Sequence, residues 1–316
     1  MPITSASRTA LVTGATGYVG SKLCERLLAE GWQVHAIVRT AGRPLPDTLR
    51  DVAVHHYDGN TQSLLDAVSA AQPSVVFHLA SLVIAEHHTE QVTDLINSNV
   101  LFGTQLAEAC ARAGVRRFIN TGTSWQHYRS DAYDPVCLYA ATKQAFEDIL
   151  DFYADAFDMR VVTLKLFDTY GPDDPRPKLI NLLVKALHSG EPLGLSPGEQ
   201  RLDLVHIDDV TRAFSLCAQR LLRDQAQQPH ERYAVSSGQA LSVRELVEVL
   251  EQVSGRKLHV TFGQRPYRTR EVMQPPHAGA TLPGWQPQVS LREGLKPLVD
   301  SASLAEHRAF SPRTTT

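Results

Sequence analysis

Tyr139 and Lys143 stand four residues apart in YAATK, at the start of a run with helical spacing. On a helix this spacing puts both side chains on one face. A phenol titrates near 10 and is a slow acid at neutral pH. A nearby ammonium favours the phenolate, so the pair can exchange a proton with a sugar hydroxyl or a ketone. Lys143 can also hold a ribose. Ser124 precedes Tyr139 in a turn-like stretch. A hydroxyl there can donate to a carbonyl oxygen as negative charge grows on it. Thr121 and Thr123 compete with it for that role.

Such a trio needs a partner that gives or takes electrons, and a glycine loop supplies a place for one. Gly14-Ala15-Thr16-Gly17-Tyr18-Val19-Gly20 lies between an apolar run, Thr9 to Thr13, and a helical pattern, Tyr18 to Glu30. Strand, glycine turn and helix in that order form the setting in which backbone approaches a pyrophosphate at a helix N-terminus. A tight turn without a ligand would show the same glycines. No Gly-Lys-Ser/Thr follows, which excludes a P-loop. At the end of the second strand an acid suits a ribose 2′-hydroxyl and an arginine a 2′-phosphate. Here the strand ends Val38-Arg39-Thr40, with Arg43 nearby. Arg39 therefore points to NADPH/NADP over NAD. Asp58, after the third strand, can meet the adenine edge or cap a turn.

The elements that must hold these residues alternate. Strands are expected at Thr9 to Thr13, Gln33 to Val38, Val52 to His55, Ser74 to His78, Arg117 to Thr121 and Arg160 to Leu166. Helices are expected at Tyr18 to Glu30, Ser63 to Ala71, Val92 to Ala113 and Tyr139 to Phe157. That alternation implies α/β architecture, a Rossmann doubly wound parallel sheet with helices on both faces. From Tyr170 to Pro177 (YGPDDPRP) the composition turns loop-like, and a smaller mixed domain is expected beyond it. In it we expect helices at Lys178 to His188 and Ser242 to Val253, with Ser242 and Glu245 as a capping box. A strand is expected at Leu204 to Ile207, then a helix to Leu222 capped by Asp208, and a last helix from Ser290 to Val299. The expected layout is a flexible N-terminus (1–8), a cofactor domain (9–167), a substrate domain (168–300) and a flexible tail (301–316). The strand and helix near 203–222 are expected to return to the first domain.

With 316 residues, 43% of them hydrophobic, the chain can bury a sizeable core. Its formal charge of −3 argues against a nucleic-acid binder. No apolar run approaches the ~20 residues that span a bilayer, so no membrane is expected and a cytoplasmic protein is. Cys24, Cys110, Cys137 and Cys217 form no metal knuckle. The pairs His55–His56 and His87–His88 put neighbours on opposite faces. No metal is expected.

Taken together, GATGYVG at 14–20, HLAS at 78–81, Ser124, YAATK at 139–143, YGP at 170–172, LVHIDDV at 204–210 and GW at 284–285 resemble the extended short-chain dehydrogenases/reductases. These are nucleotide-sugar epimerases, dehydratases and ketoreductases, and the resemblance covers about residues 9 to 300. It implies a catalytic set of Ser124, Tyr139 and Lys143. For the cofactor it implies Gly14, Thr16, Gly17, Tyr18, Val19, Arg39, Asp58, Gly59, Leu79, Ala80, Ser81, Thr121, Tyr139, Lys143 and Leu166. It implies a nucleotide-sugar substrate and a homodimer through the helices near 92–113 and 139–157. Dehydratases of the family carry Asp-Glu after the hydroxyl residue, whereas Trp125-Gln126 stand here. The stretches 120–128, 138–150 and 164–172 are most similar to the 4-ketoreductases of the CDP-abequose synthase type.

Several positions depart from the family pattern. Leu202 stands where many relatives place an arginine, and Arg201 is displaced by one, to the opposite strand face. The phosphate contact then falls to Arg268 or Arg270. Asp168 replaces an asparagine, and a carboxylate beside a diphosphate must be paired or protonated. The stretch Asn99 to Thr104 has one residue more than the family's Asn-Val-x-Gly-Thr, which puts the Asn99 contact in doubt. Ser124, Trp125, Gln126, Asp168, Arg268 and Arg270 are the expected substrate contacts. The expected reaction is NADPH-dependent reduction of the C4 ketone of a CDP- or dTDP-linked 4-keto-deoxyhexose. A 4-epimerase with tightly bound NAD is the rival, and a non-catalytic NADP sensor a remote one.

Overall fold

Runs such as Thr9–Thr13 (TALVT) and Val75–His78 (VVFH) are buried along their whole length. Strands of that kind sit inside a parallel sheet covered on both faces. The structure, a computed structural model, describes residues 8–276 and 279–309. The chain divides into two compact units: residues up to Phe167 with Val210–Val235 and Pro276–Gln286, and Asp168–Asp209 with Ser236–Pro275 and the residues from Pro287 on.

The first unit begins with β1 (Thr9–Thr13), α1 (Tyr18–Ala29), β2 (Gln33–Arg39), β3 (Ala53–Tyr57), α2 (Thr61–Ala71) and β4 (Val75–His78). It continues through α3 (Val92–Ile96), α4 (Phe102–Arg112), β5 (Arg117–Thr123), α5 (Leu138–Ala156) and β6 (Arg160–Leu166). The second unit contributes β7 (Asp168–Tyr170), α6 (Leu179–Ser189), β8 (Leu193–Gly194) and β9 (Arg201–His206). After α7 (Ile207–Leu222) come β10 (His230–Val235), β11 (Ala240–Ser242), α8 (Val243–Ser254), β12 (Val260–Thr261), β13 (Ala280–Thr281) and α9 (Leu291–Ala309).

Eight strands of the first unit pair in the order β13-β10-β6-β5-β4-β1-β2-β3. Every pairing is parallel. The strand order reverses between β1 and β4, where a Rossmann sheet opens its ligand crevice. Leu11, Leu64, Val68, Leu106, Phe118, Phe146 and Leu150 pack its core. Six strands were expected here. β10 (HERYAV) and β13 extend the sheet, and their charged or very short sequences carry no apolar run.

The second unit has a three-stranded sheet, β11-β9-β7, and a two-stranded one, β12-β8. Its core gathers Ile180, Leu183, Leu246, Leu250, Leu295 and Leu298. Three expectations change here. The strand near 203 does not return to the large sheet, because β9 pairs with β7 and β11; only the helix from Val210 on belongs to the first unit. Asp208 does not cap α7 from outside, since the helix starts at Ile207 and both Asp208 and Asp209 lie in its first turn. Asp209 instead accepts the backbone N–H groups of Gln288 and Val289, each at 3.0 Å. The last helix, expected to end at Val299, runs on to Ala309 through a stretch of good helix formers. Most of the expected flexible N-terminus and the tail beyond Ala309 lie outside the described residues. Among those described, no helix is long and apolar enough to cross a membrane.

Candidate active site

The glycine loop is folded tightly onto the crevice. Gly17 N–H donates to the Gly14 carbonyl at 2.9 Å, and Gly14 has φ +76°. A Cβ on Gly14 would meet the Ala80 nitrogen at 2.7 Å, and one on Gly20 would run into the Gly14 carbonyl. Gly14 and Gly20 therefore admit no side chain, because the chain leaving β4 and the start of α1 lie close against the loop backbone. Gly17, extended at the N-cap of α1, offers no side chain to the first helical N–H groups. A helix N-terminus without a side-chain cap is the kind of place a dinucleotide pyrophosphate occupies. The loop therefore fits such a cofactor, and Thr16 and Gly17 are its exposed members.

Beside it, Thr13 Oγ1 accepts the Ala80 N–H at 3.2 Å and meets His78 Nδ1 at 2.9 Å. Burial, with the charge of Lys143, holds His78 well below its usual range, so this imidazole stays neutral. Thr121 spends its hydroxyl on the His78 carbonyl at 2.9 Å. Arg39 ends β2 in an exposed position. Asp58 is also exposed, but its carboxylate accepts the Asn60 N–H at 2.9 Å. Hydrogen bonds from Asn60 and Ser63 hold it below the usual carboxylate range. It is a turn-making residue before α2.

The additional residue near Asn99 is absorbed by the backbone. Asn97–Leu101 form a π-turn between α3 and α4, in which Phe102 N–H reaches back five residues to the Asn97 carbonyl. One bulge of this type accommodates one extra residue without ending the helix. Asn99 stays buried and fully engaged. Its Oδ1 accepts from Leu82 N (2.8 Å) and Ser81 Oγ (3.1 Å), and its Nδ2 donates to Leu82 O (2.9 Å) and Thr142 Oγ1 (3.0 Å). The extra residue therefore leaves Asn99 anchored inside the protein. Asn99 ties the chain leaving β4 to α5, one residue before Lys143.

Tyr139 and Lys143 lie in the first two turns of α5, both buried. Lys143 is only 1% exposed. Burial lowers its ammonium to about 8, against the opposing pull of the Glu147 carboxylate. Ser124 opens a tight turn, Ser124–Gln126, at the end of β5 and is buried. Trp125 sets its ring edge-on to Tyr139, with centroids 6.4 Å apart and planes at 77°. Thr123 caps this turn, accepting the Trp125 N–H at 3.3 Å.

Gln126 must be corrected. It was expected to meet substrate, but it is 0% exposed. Its amide oxygen accepts the Thr123 N–H at 3.0 Å. Its NH₂ group donates to Gln144 Oε1 at 2.6 Å and Glu147 Oε2 at 3.0 Å. The turn carries Gln126 inward, and both ends of its amide are engaged within the protein. Glu147 went unnoticed in the sequence, although it repeats the four-residue step of Tyr139 and Lys143.

The other expected substrate residues belong to the second unit. Asp168 is paired with Lys178, Oδ1 to Nζ 3.4 Å, as its charge required. Arg268 is clasped by Glu271, with Nε–Oε2 at 3.0 Å and Nη2–Oε1 at 2.8 Å. Arg201 donates to the Ala240 carbonyl at 2.5 Å and lies 3.3 Å from Glu245.

Residues 10–234 match the model of the NAD dependent epimerase/dehydratase family. The CDP-abequose synthase of Yersinia pseudotuberculosis is 27% identical over 270 residues, 84% of this chain and 90% of that protein. The UDP-glucose 4-epimerase of Mycolicibacterium smegmatis is 30% identical, over 92% of this chain and 97% of its own. Among solved structures, MoeE5 in complex with UDP-glucuronic acid and NAD superimposes with a TM-score of 0.81. It is 29% identical and covers 94% of this chain and 99% of its own.

Proposed function

Because the chain belongs to the NAD dependent epimerase/dehydratase family, we propose that it is an NADPH-dependent ketoreductase acting on C4 of a nucleotide-linked 4-keto-deoxyhexose. The observation that carries this reading is the tip of β2. Arg39 is exposed there, and the nearby carboxylate of Asp58 is already engaged by its own turn. A guanidinium at this point favours a 2′-phosphate, and so a cofactor that exchanges at each turnover.

Gly14, Thr16, Gly17, Tyr18 and Val19 would hold the cofactor's pyrophosphate. Gly59, Leu79, Ala80, Ser81 and Leu166 would line the rest of its course. When bound, NADPH supplies the hydride that becomes the new C4–H bond. Tyr139 gives its hydroxyl proton to the former ketone oxygen, which stays on C4 as the new hydroxyl. Ser124 donates a hydrogen bond to the same oxygen while it carries partial negative charge. Lys143 favours the phenolate that remains on Tyr139 and holds the ribose. Trp125 would wall the sugar side. Exposed Val92, Ile96, Leu101 and Phe152 fit the pairing of two copies expected from the resemblance.

The test is purified protein with NADPH and a CDP- or dTDP-4-keto-6-deoxyhexose. Stoichiometric NADPH loss with a new 4-hydroxyl by NMR is expected. Tyr139→Phe should cut turnover by about 10³-fold with NADPH affinity near normal. The second reading, a 4-epimerase, is favoured by the likeness to the M. smegmatis enzyme. Interconversion of two nucleotide sugars without net NADPH use would establish it and overturn the reductase.

A further inference from the structure

Tyr139, Lys143 and Glu147 follow one another at i, i+4 and i+8 on α5, so they share one face of the helix. The first two face the chemistry. The third is buried, 1% exposed, and reaches the turn that carries Ser124. Glu147 Oε2 accepts from Gln126 Nε2 at 3.0 Å, and Gln126 Oε1 accepts the Thr123 N–H at 3.0 Å. That N–H belongs to the residue just before Ser124.

The connection is built tightly on every side. A Cβ on Gly122 would lie 2.9 Å from Gln126 Oε1 and 3.0 Å from Lys165 Cγ. Only a bare backbone at Gly122 leaves room for both side chains. Glu147 Oε1 is held by Arg232 Nε at 2.5 Å, with Lys165 Nζ 3.9 Å away. Lys165 Nζ lies 2.8 Å from His127 Nε2, and His127 Nδ1 lies 3.1 Å from the Ala132 carbonyl. A carbonyl only accepts, so Nδ1 carries the proton and Nε2 accepts from the ammonium. His127 thereby fixes the far end of the turn, and its own N–H donates to the Ser124 carbonyl at 3.0 Å.

We propose that Gln126 and Glu147 form a strut that holds Ser124 in register with Tyr139, making both of them positioning residues. The proposal rests on the reaction assigned above, in which Ser124 and Tyr139 must reach one oxygen together. A donor displaced by about 1 Å from a developing oxyanion loses much of its effect. Ser124 sits in the turn after β5 and Tyr139 and Lys143 on α5, and the strut is a side-chain link that sets that turn against the helix.

Two measurements test it. The first needs no turnover: amide hydrogen exchange over 123–127. Gln126→Leu should speed exchange at Thr123 by about 10-fold or more, while the 14–20 loop stays unchanged. Glu147→Gln keeps an acceptor for Gln126 and should leave Thr123 slow, whereas Glu147→Leu should not. Unchanged exchange in Gln126→Leu overturns the strut. The second is a double-mutant cycle on the net reaction that the parent catalyses. Alone, Gln126→Leu should lower kcat by about 10- to 100-fold, with NADPH affinity and KM within about twofold. In a Ser124→Ala background it should cost less than about threefold, because its effect runs through Ser124. Equal losses in both backgrounds overturn the proposal. A parent that turns over no nucleotide sugar refutes the assigned reaction instead, and the exchange measurement then decides the strut alone.

Discussion

Replacing Lys143 by methionine should stabilise the protein while disabling it. Burial pulls the ammonium down to about 8, whereas an exposed lysine titrates near 10.4. At ~1.4 kcal/mol per pKa unit, keeping this lysine charged costs the fold about 3 kcal/mol at pH 7. Between about pH 8 and 10 the unfolded chain holds the proton and the folded chain has released it. Proton binding there favours the unfolded state less as pH rises, so stability increases through this window. Lys143→Met removes the charge and keeps most of the stem. The variant should gain about 3 kcal/mol in urea unfolding at pH 7, less near pH 9, and nothing above about pH 10.5. Turnover should fall by about 10²-fold or more. A variant no more stable than the parent at pH 7, or a gain that does not fade with pH, would refute the reasoning.

Arg39→Ala should raise the KM for NADPH by about 10- to 100-fold, the worth of a charge-assisted bond, with NADH nearly unaffected. Parallel changes for the two cofactors would sink the 2′-phosphate assignment. Gly20→Ala puts a Cβ into the Gly14 carbonyl. Dinucleotide binding and thermal stability should both drop, and an unaffected variant would count against the close packing of loop and helix. Asn99→Ala strands the N–H and carbonyl of Leu82, and unfolding should cost about 2–4 kcal/mol less, as read by denaturant titration.

The parts of this protein that the sequence discloses are those written in local pattern. β1, β4 and β6 are apolar runs because each is covered on both faces. The glycine loop reads plainly because its shape excludes side chains at Gly14 and Gly20. Tyr139 and Lys143 announce a shared helix face by spacing alone. What stays hidden depends on pairing or on a change of backbone phase. β9 and β11 meet across a long stretch of chain, and no local pattern assigns β9 to a second sheet. The insertion after Asn99 puts a contact in doubt, because periodicity assumes an unbroken α-helix. A single π-turn restores the register. Gln126 follows Ser124 and Trp125, so proximity in sequence suggests a shared pocket. The tight turn over Ser124–Gln126 points it the other way.

That reversal changes how α5 is understood. The buried charges beneath Ser124 are costly, since Glu147 and Lys165 surrender solvent and half-buried Arg232 surrenders part of it. An apolar plug of the same volume could fill the space between β5 and α5 at no loss of packing. It could not hold the Thr123 N–H, nor fix the rotation of the turn, because apolar contact is non-directional. Directed hydrogen bonds specify an angle as well as a distance. A donor that must meet an oxygen shared with Tyr139 needs both. The face of α5 thus carries two groups that act on the ligand, and a third that decides where the remaining one stands.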